Sequence, residues 1–153
     1  MRGQSGIALV EILVVIAIIV LILLVVLPPF SSIKESQVLD NAVENVISAL
    51  NKARTQTLSS LDSSEYGVHF ESDQILIFKG KVFSANDPDN ESVEITSPAT
   101  ISDVTLGGVS GPEGELYFAR LSGVPDKSGT VTVSVAGNSK IITISSTGTV
   151  SKN

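Results

Sequence analysis

The chain has no cysteine and a single histidine, His69, among its 153 residues. Absent thiols exclude disulfide scaffolds, thiolate zinc sites, iron–sulfur clusters and cysteine nucleophiles. One imidazole excludes any multi-histidine metal site. The lack of cysteine does not identify a compartment, since it suits a cytoplasmic protein and equally an exported domain that needs no disulfides. Charge is scarce where the chain starts. Residues 1–33 carry one cation, Arg2, and one anion, Glu11; all other charges lie in 34–153. The formal net charge of −6 therefore belongs to the later part, and an acidic domain is a poor general polyanion binder. The GxSxG, HExxH, Walker and GxGxxG patterns are missing too. No enzyme is inferred and no cofactor is expected.

What the N-terminus does have is a long apolar run. Residues Ile7 to Phe30 read IALVEILVVIAIIVLILLVVLPPF, interrupted only by Glu11, Pro28 and Pro29. As a helix this run would extend roughly 36 Å, enough for a bilayer core of about 30 Å. A secretory signal peptide fits badly. The run is long for an h-region, and no A-x-A site follows it. A carboxylate inside a membrane helix costs about 2.5–3.5 kcal/mol on insertion scales, so Glu11 calls for a partner. No cation lies within a helical turn of it. The preceding hexapeptide, MRGQSG, ends at Gly6. Cleavage after Gly6 would create an α-ammonium at Ile7, and Glu11 of one subunit could pair with the ammonium of a neighbour. A plain single-span anchor with an accidental Glu11 is the alternative.

The segment SG/IALVEILVVIAII, with the slash at the expected cut, resembles the type IV pilin and pseudopilin superfamily. By that resemblance Gly6 is the residue after which a prepilin peptidase cuts, Ile7 the N-methylated mature terminus and Glu11 the assembly carboxylate. The family most often has Phe or Met where Ile7 stands. Pro28 falls where many relatives have a kinking proline, here doubled by Pro29. Interior proline removes a backbone donor and clashes with the preceding turn, so a kink at Pro28 and Pro29 is expected. A simple helix end at the membrane surface is the other possibility.

From Ile33 to Leu61 apolar positions recur at Leu39, Val43, Val46, Leu50, Ala53 and Leu61, with Thr57 in the same stripe. Spacings of four and three mark one face of an amphipathic helix. The stripe can lie on a sheet; a coiled coil is the alternative. Beyond Leu61 the pattern turns to period two. Strands are predicted at Tyr66–Phe70 and Gln74–Lys79, joined by a hairpin over 71–73, with Lys81–Phe83 extending or following them. More are predicted near Val93–Ile95, Ile101–Leu106, Glu115–Arg120, Thr130–Val135, Lys140–Ser145 and Thr149–Ser151. Gly137-Asn138 reads as a hairpin turn.

A long helix followed only by strands resembles the GspH/FimT-type branch of minor pseudopilins and minor pilins. NKARTQTL with YGVHF, and ELYFARLSG with SKIITISSTGTVS, carry that likeness over residues 40–151. The expected fold is α+β and pilin-like: a long N-terminal helical spine, half transmembrane and half amphipathic, packed on a C-terminal antiparallel β-sheet head. The expected parts are a leader at 1–6, a transmembrane and polymerisation helix at 7–30, an amphipathic helix at 31–61 and a β-rich head at 62–153.

The resemblance implies a structural subunit of a type IV pilus or type II secretion pseudopilus. It would sit in the cytoplasmic membrane as a single pass, with its head outside the cytoplasm, and then enter a filament. Its partners would be other subunits, prepilin peptidase, the membrane assembly platform and the bilayer. A major pilin is an alternative, as is a minor pilin that binds DNA or an exported protein. Nucleic-acid binding would need clustered cations, and Lys79, Lys81, Lys127, Lys140 and Lys152 are scattered in sequence. Asp87, Asp89, Asn90 and Glu91 invite a calcium reading but lack an EF-hand spacing. A solvated loop is favoured there, and a simple strand histidine is favoured for His69.

Overall fold

The computed structural model describes the backbone from Gln4 to Asn153 and the side chains of residues 9–24 and 34–153. Helical backbone is assigned over Gln4–Leu58 (α1). The chain divides into two compact units, Met1–Lys34 and Glu35–Asn153.

In the second unit, α1 residues Leu39, Val43, Val46, Leu50, Ala53 and Thr57 are buried, together with Ala42 and Ala49. The three-and-four spacing puts them on one face. Burying a Leu or Val side chain stabilises by about 1.5–3 kcal/mol, so this stripe binds the helix to the head. Leu61 falls outside it and is half-exposed, because α1 ends at Leu58. A one-turn 3-10 helix (Leu61–Ser63) follows, entered through Ser60 at φ 53°.

Nine strands come next: β1 (Tyr66–Phe70), β2 (Gln74–Lys79), β3 (Glu91–Glu94), β4 (Thr100–Leu106), β5 (Val109–Gly111), β6 (Gly114–Phe118), β7 (Gly129–Val135), β8 (Asn138–Ile144) and β9 (Val150–Lys152). They form two antiparallel sheets, ordered β3-β2-β1-β6 and β5-β4-β7-β8-β9. The chain starts the second sheet with β4 and β5, returns to the first with β6, and re-enters the second with β7. Alternation sends Val68, Phe70, Ile75, Ile77, Leu116 and Phe118 inward from one sheet. Val131, Val133, Val135, Ile142 and Ile144 point inward from the other. In β4 the register shifts between Ile101 and Asp103. That bulge lets Ile101 and Val104, three apart, both face the core.

The expectation of a long helical spine on one sheet is corrected. The helical residues divide between two compact units after Lys34, and only the second unit carries the buried packing stripe, from Leu39 to Thr57. The described strands make two sheets, not one. Among the described residues no helix is long and apolar enough to cross a membrane. The physical reason lies in what each pattern can specify. The packing stripe exists only from Leu39 onward, and period-two alternation marks a strand without naming its partner.

Smaller corrections follow the same logic. Lys81–Phe83 is not a strand, the three-residue β5 was unforeseen, and the turn between β7 and β8 is Ala136-Gly137. Asn138 pairs with Val135, and Ala136 and Gly137 take φ values of 47° and 86°. Positive φ at both central residues suits a two-residue hairpin.

Candidate assembly segment and head surface

Between residues 9 and 24 the helix is apolar on every side except at Glu11. All its large apolar side chains are exposed, from 47% at Val20 and Leu23 to 67% at Leu24. A helix apolar all round belongs in lipid or among other helices. Glu11 is exposed on the same stretch, with no ion pair among the described residues. The surroundings of Gly6, Ile7, Pro28 and Pro29, with the expected cleavage and kink, lie outside what is described.

On the head, α1 is tied down along both flanks of its buried stripe. Asp40 and Glu44, one helical turn apart, take Lys140 of β8 and Lys152 of β9. On the opposite flank Lys52 pairs with Glu91 of β3, and Asn45 Nδ2 donates to the Glu94 carbonyl at 3.3 Å. One helix thus joins the outer strands of both sheets. The Lys140 ammonium holds the Asp40 carboxyl below its ordinary range, chiefly through their hydrogen bond. Glu44 raises Lys152 in the same way. Lys79 donates to Asp62 Oδ2 at 3.0 Å, which lowers the carboxyl and raises the amine. Burial pushes the Tyr66 phenol up.

The remaining head cations are occupied as well. Arg54 donates to the carbonyls of Gly123 (3.1 Å) and Thr147 (3.3 Å), and Arg120 to that of Ser63 (2.6 Å). Lys81 lies 3.7 Å from Glu65, and Lys127 lies 3.8 Å from Asp126. Every lysine and arginine from 35 to 153 therefore meets a carboxylate or a backbone carbonyl. Apart from the neighbours Asp126 and Lys127, none of these partners was legible in the sequence, because each joins positions far apart in the chain or bridges different elements.

The acidic loop does not converge. The Asp87 carboxylate accepts from the Asp89 amide at 3.0 Å, Asn90 Nδ2 donates to the Ser84 carbonyl at 2.7 Å, and Glu91 turns to Lys52. Among the described residues no group of three acidic or imidazole side chains could hold a metal ion. His69 lies on the outer face of the first sheet. Its ring stacks on Phe83 at 4.0 Å and 6°, and Phe83 meets Phe78 edge-on at 5.7 Å. The Glu71 and Glu115 carboxylates flank it at 3.7 and 3.9 Å. Phe83 thus caps the outer face, which explains why 81–83 left the strand pattern.

No protein-family model, no curated protein and no solved structure matches this chain.

Proposed function

We propose that this chain is a structural subunit, a minor pilin or pseudopilin, of a type IV pilus or type II secretion pseudopilus. It is a scaffold component rather than a catalyst. Prepilin peptidase cuts after Gly6, residues 7–30 hold the subunit in the cytoplasmic membrane with the head outside the cytoplasm, and the apolar helix then packs against those of other subunits. The observation that carries this reading is the apolar helix exposed on all sides, with one carboxylate, Glu11, at the fifth position after Gly6. A carboxylate that is costly in lipid gains a partner when it meets the α-ammonium of a neighbour at Ile7.

Glu11→Ala tests it. The variant is expected to insert in the membrane as the native chain does and to be missing from sheared filaments on immunoblot. Normal filament incorporation by Glu11→Ala would sink the assigned role.

A further inference from the structure

The outer edge of β6 has one rung that the chain does not fill. The Glu71 amide donates to the Gln74 carbonyl at 3.0 Å, which sets the alternation along β1. Residues 67, 69 and 71 bond toward β2, and 66, 68 and 70 toward β6. Glu115, Tyr117 and Ala119 therefore turn their backbone groups away from β1. The segment 124–126 serves two of these three. The Ala119 amide donates to the Val124 carbonyl at 2.8 Å, and the Asp126 amide to the Tyr117 carbonyl at 3.0 Å. The Tyr117 amide donates to Asp126 Oδ1 at 2.8 Å. Before the third rung the chain leaves for β7, where Gly129 packs so tightly that a Cβ would lie 1.8 Å from the Thr105 carbonyl oxygen.

At Glu115 the carbonyl is met by the Lys127 ammonium at 3.1 Å. Among the described residues its amide has no partner in the chain. Beside it lies a cavity of about 360 Å³ with Val104, Leu106 and Val109 on its walls. Glu113, Glu115 and Lys127 supply its charges. Asp126 already faces the Lys127 charge, so the site carries surplus acid. A lysine on a sheet edge keeps other strands away, and here it stands where a strand amide would donate.

The geometry points to this edge as a docking site for an extended segment of a partner polypeptide, apolar with cationic side chains. The segment adds one rung at Glu115 and displaces the Lys127 ammonium. Main-chain bonds supply affinity, the apolar walls take one side chain, and Glu113 and Glu115 select its charge. This inference does not depend on the filament role.

The test titrates the full chain, nitrogen-15 labelled in zwitterionic micelles, with a capped five-residue peptide of alternating valine and arginine. Saturable amide shifts are expected at Val109, Glu113, Glu115 and Lys127. N-methylation of the central valine, which removes the donor amide, is expected to weaken binding about tenfold, as is exchange of arginine for glutamate. Val109→Lys, at a position 74% exposed where the fold is indifferent, is expected to weaken it by a similar factor. Shifts confined to other faces, indifference to N-methylation, or equal binding of the glutamate peptide would overturn the proposal. Concentration-dependent shifts at the same amides without peptide would assign the edge to a second copy and overturn it too.

Discussion

Thr57 and Tyr66 hold each other across the junction of helix and sheet. The Tyr66 amide donates to Thr57 Oγ1 at 2.9 Å, and the same hydroxyl donates to the Ala53 carbonyl at 2.9 Å. Thr57 is fully buried, the one buried polar side chain among the described residues. Its hydroxyl thus ties the last turn of α1 to the first residue of β1.

Thr57→Val keeps the shape and removes the acceptor. Losing a buried hydrogen bond costs about 1 kcal/mol. Thr57→Ser should lose less than Thr57→Val, because the acceptor stays. Denaturant titration of the two variants, followed by circular dichroism of the head, checks the order. Equal stability of Thr57→Val and the native chain would refute the role.

Two glycine substitutions separate two mechanisms. At Gly129 an added Cβ meets the Thr105 carbonyl at 1.8 Å, so Gly129→Ala must push β7 from β4 and is expected to prevent a stable head. Gly137 has open space but φ of 86°. Gly137→Ala is expected to cost only about 1 kcal/mol, through backbone conformation alone. Thermal melts of both variants would show the contrast, and a mild Gly129→Ala would contradict it.

The ion pairs on the flank of α1 have a pH signature. The folded Asp40 carboxyl lies below its unfolded value. Its contribution is therefore present above the ordinary aspartate range near about pH 3.9 and is lost as pH falls through the folded value. Lys140→Met should lower stability at pH 7, and the gap to the native chain should close toward strongly acidic pH and shrink at about 1 M salt. The Lys79 amine is raised instead. Its pairing with Asp62 is present below the ordinary lysine value and is lost as pH rises through the folded one.

Processing offers a separate measurement. Gly6→Leu is expected to leave the chain at full length by mass spectrometry when prepilin peptidase is co-expressed, while the native chain loses residues 1–6 and gains a methyl group. Efficient cleavage of Gly6→Leu would refute the site.

Much of the head was legible because local patterns repeat. The stripe from Leu39 to Thr57 kept its spacing, and the β1–β2 hairpin followed its alternation. Leu61 misled because the break after Leu58 uses Ser60, Asp62 and Ser63 in left-handed conformations with no glycine to announce it. Phe83 misled because its place is set by His69 and Phe78 on the sheet's outer face. Neither acid loop nor histidine showed its neighbours, since Lys52 meets Glu91 from 39 residues away.

By itself the sequence determined that charge is nearly absent before Lys34, that a lone carboxylate interrupts the apolar run, and that helix precedes strands. These are properties of composition and period, which each segment carries alone. Only the tertiary structure decided that the strands divide into two sheets, that α1 fastens the outer strands of both, and that the rung at Glu115 stays open. Strand partners and long-range ion pairs depend on which surfaces meet when the core closes, and a one-dimensional pattern does not encode that choice.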